Sequence, residues 1–371
     1  MSSKLFSPIE LRGLTLPNRI VVSPMCQYCV EDGVVGDWHR VHLGMLANSG
    51  AGLLIVEATA VTPQGRISPG CTGLYNDATE AAFAGVLETV RSVGSARLGI
   101  QLGHSGRKGS TAAPWIGRGP VAREDGGWDV VGPSPLPFTE DWLVPEQLDR
   151  AGMDDIRDAF VSAAGRAASL GFEFLEMHSA HGYLLSSFVS PLSNRREDEY
   201  GGTRENRMRF PLEVAVAMRG AWPADRPMSV RINGSDWVEG GWTPDDAVAY
   251  AAALKGVGVD IITVSSGGID PRQQVPVKPG YQVPIAAKVR KEADIPTIAV
   301  GLITDPHQAE SIVADGKADM VALARGMLFN PRWGKHAAVT LGVAVEYPPQ
   351  YQRATPETWP PAKDSVAGGR G

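Results

Sequence analysis

The chain has 371 residues, 43% hydrophobic and 20% charged, the balance of a globular protein with enough apolar side chain for a large core and not of a disordered one. Lys and Arg number 35 against 41 Asp and Glu, a formal charge of −6, with both signs interspersed and no basic stripe, which argues against a nucleic-acid partner. The start, Met1-Ser2-Ser3-Lys4-Leu5-Phe6-Ser7-Pro8, lacks the apolar stretch of a secretion signal, and no uninterrupted apolar run reaches membrane-spanning length. The expectation is a cytoplasmic protein that acts on small molecules and keeps its three cysteines, Cys26, Cys29 and Cys71, reduced.

In chain order, strand-like runs fall at Ile20 to Ser23, Gly52 to Glu57, Leu98 to Leu102, Phe172 to Met177, Met228 to Ile232, Ile261 to Val264, Thr297 to Val300 and Met320 to Leu323. Amphipathic stretches lie between them at Ala78 to Val93, Asp154 to Leu170, Glu205 to Arg219 and Pro284 to Glu292. Two further helices announce their starts, Thr243-Pro244-Asp245-Asp246, with a hydroxyl cap, a proline at the first helical position and early acids, and Thr304-Asp305-Pro306. Alternation of strand and helix implies a parallel sheet, and Val/Ile/Leu-rich strands imply burial on both faces. Eight repeats in one chain of this length favour an α/β fold of the (β/α)₈ TIM-barrel type over a doubly wound sheet, as a single domain over 1–345. The Gly-, Pro- and Trp-rich interval Gly103 to Gly152 is too long for a plain loop and predicts a lid-like insertion after the third strand. The tail, 346–371, holds Pro348, Pro349, Pro356, Pro360 and Pro361 and predicts little helix.

Chemistry-bearing residues collect at the predicted strand ends, where such barrels open. Cys26-Gln27-Tyr28-Cys29 has C-x-x-C spacing but no helix begins at it, so Cys26 is placed to face a ligand and Cys29 is not. Gly103 to Ser110 lacks the spacing of a nucleoside-triphosphate loop. His178-x-x-His181 is compatible with a metal pair, a structural pair or a pair of donors to a carbonyl oxygen; no third ligand follows at motif spacing, and two N–H groups at a barrel mouth suit an oxygen gaining charge. Tyr183 is a proton donor on the same rim or a buried hydroxyl. Gln101 and Arg231 end the third and fifth runs and suit a planar or anionic ring, a core salt bridge being the other reading of Arg231, while Gly301 and Ala324-Arg325, after the seventh and eighth, suit a phosphate, with a surface ion pair as the other reading of Arg325. No G-x-G-x-x-G follows a strand, which removes a separate dinucleotide domain.

Taken with Phe6-Ser7-Pro8-Ile9, Asn18-Arg19-Ile20, Ser23-Pro24-Met25-Cys26-Gln27-Tyr28, Val56-Glu57-Ala58-Thr59-Ala60-Val61, Gln101-Leu102-Gly103-His104-Ser105-Gly106-Arg107-Lys108, Ser190-Pro191-Leu192-Ser193-Asn194 and Asp198-Glu199-Tyr200-Gly201-Gly202, the segment His178 to Leu184 makes the chain resemble the old yellow enzyme family of FMN-dependent ene-reductases. The likeness is to the bacterial branch with a flavin-contacting cysteine. It implies non-covalent FMN lined by Ser23, Pro24, Met25 and Cys26, with Ala60 and Gln101 on the ring, Arg231 at its N1–O2 edge, and Gly301, Ala324 and Arg325 on the phosphate side. It further implies that NADPH or NADH reduces FMN and that flavin N5 then passes hydride to the β-carbon of an activated alkene. His178 and His181 would bind the activating oxygen, Tyr28 and Tyr183 would face it, and Tyr183 would give the α-proton. The tail segment Gln350-Tyr351-Gln352-Arg353 resembles one that crosses to a neighbouring subunit, implying a homodimer or a multiple of one with Arg353 at the partner's substrate pocket. Larger relatives with an iron–sulfur cluster are excluded, because a cluster needs four thiolates. A non-catalytic flavin store and a metal-dependent barrel lyase or hydrolase are the readings from other classes.

Overall fold

The computed structural model describes residues 3–117 and 119–363, so the last eight residues of the predicted tail lie outside the described ones. Eight parallel strands close into a barrel: β1 (Ile20–Val22), β2 (Leu53–Ala60), β3 (Arg97–Gly103), β4 (Phe174–Ser179), β5 (Met228–Asn233), β6 (Ile261–Ser265), β7 (Thr297–Ala299) and β8 (Met320–Leu323), with β8 pairing back to β1. The TIM-barrel expectation holds, and each predicted run overlaps its strand.

The ends of the runs differ in an informative way. The fourth strand does not stop at Met177: it continues through His178 and Ser179, which pair with Arg231 and Ile232 of β5. Polar side chains at the close of a strand read as loop in a sequence, whereas the ladder needs only their backbone. The helix Arg150–Ser169 starts four residues before the predicted Asp154, because Asp149 caps it by accepting from the Gly152 N–H at 2.8 Å. The helix Pro244–Gly256 opens at the Thr243 hydroxyl cap read from sequence, which forms a reciprocal capping box with Asp246, and the helix Pro306–Ala314 is capped by Asp305.

Helix α1 (Asp37–Ala47) was not predicted. Two histidines, His39 and His42, occupy its buried face and break the apolar period. His39 is paired there with Glu57 of β2 at 2.9 Å. The predicted insertion carries a two-stranded parallel pair, Val131–Gly132 with Glu146–Gln147, and Arg107 ties it to the barrel by donating to the Leu136, Pro137 and Ile269 carbonyls.

The interior is split along its axis. At the strand starts, Val21, Leu53, Ile55, Phe174, Ile261, Ile298 and Met320 form one apolar cluster with Leu11, Leu14 and Leu16 of an N-terminal hairpin, which closes that end. The cluster around the outside, between strands and helices, is separate. Toward the strand ends the inward side chains turn polar.

Candidate active site

His178 is the penultimate residue of β4, inward-facing and buried. Gly103 of β3 stands beside it, and a Cβ there would meet the His178 Cβ at 3.2 Å, so the residue opposite the imidazole must be small. The His178 Nδ1 accepts from the Ala180 N–H at 3.2 Å. A neutral imidazole that accepts at one nitrogen carries its hydrogen on the other, so Nε2–H is the free donor. His181 sits at φ +62°, a conformation that turns the chain sharply after the strand; the Asn233 side chain holds it by accepting from its N–H at 3.0 Å. The His181 Nε2 lies 2.7 Å from Ser265 Oγ, which leaves Nδ1 uncommitted. The two rings stand 5.1 Å apart and nearly perpendicular, and Tyr183 packs edge-on to His178 at 5.0 Å. Burial first, then the Arg231 charge, holds both imidazoles well below their ordinary range, so both are neutral at pH 7. Burial likewise pushes the Tyr183 phenol well up, keeping its proton.

Below the rim lies a polar floor. Arg231 of β5, opposite His178 in the ladder, is buried and donates from Nη1 to Ser23 Oγ at 3.0 Å. Its Nε is buried and has no hydrogen-bond partner among the described residues. Gln101 of β3 is buried and donates to Glu176 of β4 at 2.8 Å. Ala60, the last residue of β2, is buried beside them at the strand ends.

The segment after β1 forms one wall. Tyr28 adopts φ +52° and meets Trp115 of the insertion edge to face at 5.7 Å. Gln27 ties the wall down: its N–H donates to Glu57, its side-chain amide donates to the Met25 carbonyl, and its amide oxygen accepts from Trp38. Pro24, Met25 and Cys26 are half-buried along this wall, and Cys29 is exposed. All three cysteines are free. The thiol partner of Cys26 is Cys71, not Cys29, and that contact with burial raises the Cys26 thiol well above the ordinary range. Nothing in the spacing of 26 and 71 signals the pairing.

Lys108 is a second residue that sequence reasoning passed over, quoted in a motif without a role. Its ammonium donates to the His181 carbonyl at 2.9 Å and the Gly268 carbonyl at 2.8 Å, and lies 5.3 Å from the Tyr183 ring centre. Burial, helped by Arg107, brings it down to about 7. A small cleft opens beside His178 and Tyr183, with Ala60, Ile67 and His104 in its wall.

On the far side, Gly301 follows β7 at φ +114°, where a Cβ would come within 2.7 Å of the Gln282 amide. Ala324 precedes the short helix Arg325–Phe329, and Arg325 is exposed with no carboxylate partner among the described residues. Arg353 is apart from all of these. It is exposed in a 3-10 turn, Pro349–Ala354, within a tail whose Tyr347 and Tyr351 lie against Lys335 and Arg332. That stretch borders Asn48, Gly94 and Ser95, which feed the starts of β2 and β3, so it lies at the closed end of its own barrel.

Residues 4–342 match the model of the NADH:flavin oxidoreductase / NADH oxidase family, which sets the class as a flavin-dependent oxidoreductase built on this barrel. The NADPH dehydrogenase of Geobacillus thermodenitrificans is 45% identical over 355 residues, covering 95% of this chain and 99% of its own. That of Bacillus licheniformis is 43% identical over 353 residues, covering 95% and 98%. Among solved structures, morphinone reductase superimposes with a TM-score of 0.76 at 28% identity, covering 94% of this chain and 93% of its own, and TcOYE with pHBA gives 0.76 at 25%, covering 96% of each. The chain belongs to this family, as an enzyme of the old yellow enzyme type that uses FMN with NAD(P)H as hydride donor. The mouth fits FMN: a buried guanidinium with an unspent donor, an amide beside it and a tight glycine after β7 are what a planar ring with an anionic edge and a phosphate require.

Proposed function

We propose that the protein reduces the C=C bond of activated alkenes, such as α,β-unsaturated carbonyl or nitro compounds, by ping-pong turnover at one site in the cytoplasm. The observation that carries this reading is the pair of neutral imidazoles at the mouth, one with its Nε2–H free, set beside a protonated tyrosine. FMN, when bound against Ser23, Pro24, Met25, Cys26, Ala60, Gln101 and Arg231 with its phosphate toward Gly301, Ala324 and Arg325, supplies the hydride chemistry between nicotinamide and alkene. His178 and His181 bind the activating oxygen as hydrogen-bond donors and stabilise the charge that grows on it; His181 does so from Nδ1, or from Nε2 once Ser265 lets go. Tyr183 holds the proton delivered to the α-carbon, and Tyr28 closes the opposite wall.

Arg353 enters this reading from a second copy. Anchored at the closed end of its own barrel, it reaches a substrate pocket only in a homodimer or a multiple of one, where its guanidinium fork borders the partner's mouth. Mixing His181→Ala chains with Arg353→Ala chains then regenerates one intact pocket per mixed dimer and activity rises; no rise on mixing rejects the arrangement.

The reaction itself is tested anaerobically. NADPH should bleach the flavin, an enone should restore it, and double-reciprocal plots should be parallel. Intersecting lines without substrate inhibition, or a flavin that the enone leaves bleached, would remove the shared-site reading.

A further inference from the structure

The polar floor holds a charge that the chemistry above it does not use. Glu176 lies mid-strand in β4, one inward position below His178, fully buried. Its carboxylate accepts from Gln101 Nε2 at 2.8 Å, Thr263 Oγ1 at 2.5 Å and Ser229 Oγ at 3.3 Å, donors from three other strands. Burial pushes this carboxyl up; the Arg231 charge and the three donors oppose the push and favour the ionised form. Arg231 answers in kind: burial lowers it and Glu176 is the largest group raising it again.

Two features follow from how this pair is built. No ion-pair contact joins Glu176 and Arg231 among the described residues, so the guanidinium is balanced through space while its Nε stays unspent. A direct salt bridge would have consumed that donor. Gln101 is fixed as well. A carboxylate only accepts, so the Gln101 atom bonded to Glu176 must be the amide nitrogen, leaving its carbonyl oxygen and one N–H for whatever lies above. The orientation of this amide is therefore dictated by Glu176.

We propose that Glu176 is a positioning residue for the flavin: it sets the face Gln101 presents and supplies a buried negative charge beneath Arg231 that holds the flavin reduction potential lower than Arg231 alone would set it. The inference rests on the reading of Gln101 and Arg231 as flavin contacts. Its sign comes from electrostatics, since reduction places negative charge on the ring, which the guanidinium favours and the carboxylate opposes.

The test is the potential of the holoenzyme, read by anaerobic equilibration with a reference dye. Glu176→Gln keeps the shape and an acceptor for Gln101 while deleting the charge, so bound FMN should keep its visible spectrum and its potential should move positive. An unmoved or more negative potential with FMN still bound overturns the proposal. Should that variant fail to fold or retain FMN, Thr263→Val decides: it removes the shortest donor to the carboxylate, weakens the charge and should shift the potential the same way by less, and no shift rejects the role. Arg231→Lys separates this failure from a failure of the site. A potential that ignores Arg231→Lys overturns the placement of Arg231 at the flavin, whereas a response to Arg231→Lys alone sinks only the role of Glu176.

Discussion

The two ends of the barrel interior are built from the same strands and do opposite things. At the strand starts, Phe174, Ile261, Met320 and their neighbours meet the hairpin leucines in an apolar cluster. Two to four residues further along the barrel strands stand Glu176, His178, Arg231, Thr263 and Ser265, every one able to hydrogen-bond and buried. Burying apolar side chains stabilises, while burying charges costs free energy unless they are matched. The closed end thus carries stability, and the open end carries a polar arrangement whose groups make sense only with a ligand over them.

Cutting into the closed end should have the largest effect on folding. Phe174 is wholly buried in the plug, and Phe174→Ala should cost about 3–5 kcal/mol of stability by denaturant titration, with the folded fraction still binding one FMN per chain. A loss of flavin from folded protein would mean that the two ends are not separable.

The open end should show its cost as a pH dependence. Lys108 is held at about 7 by burial against an ordinary 10.5. A depressed folded value means that the unfolded chain binds the extra proton between those limits, so stability from this site is complete above 10.5 and is lost as pH falls through about 7. Lys108→Met should flatten that rise relative to the wild type, measured as unfolding midpoint against pH. Parallel curves would show that the ammonium is not penalised there.

The smallest effects should separate two cysteines three residues apart. Cys26→Ala should shift the flavin potential and alter enone affinity, because its thiol lies in the wall beside the free thiol of Cys71. Cys29→Ala, on an exposed residue, should do neither. Equal responses would restore the C-x-x-C reading.

The closed end was the more legible in sequence. Apolar strand starts announce themselves by composition, and the His178, His181, Tyr183 cluster stood out because polar rings rarely follow such a run. What stayed hidden depends on closure. Glu176 reads as one charge inside a strand until β3, β5 and β6 bring Gln101, Ser229 and Thr263 to it. Cys71 meets Cys26 from 45 positions further along the chain, and helix α1 is masked by the same buried His39 that secures Glu57. Strand limits at β4 were missed where functional polar residues sit on an intact ladder.

The account stands most directly on the imidazole pair, and the rate at which an enone re-oxidises the reduced enzyme reads it alone. In stopped flow, His178→Ala should slow that step by about 10²–10³-fold, the loss of one donor to a developing oxyanion, with FMN content and the unfolding midpoint close to wild type. A re-oxidation rate equal to that of the wild type would contradict the assignment of His178 to the substrate oxygen.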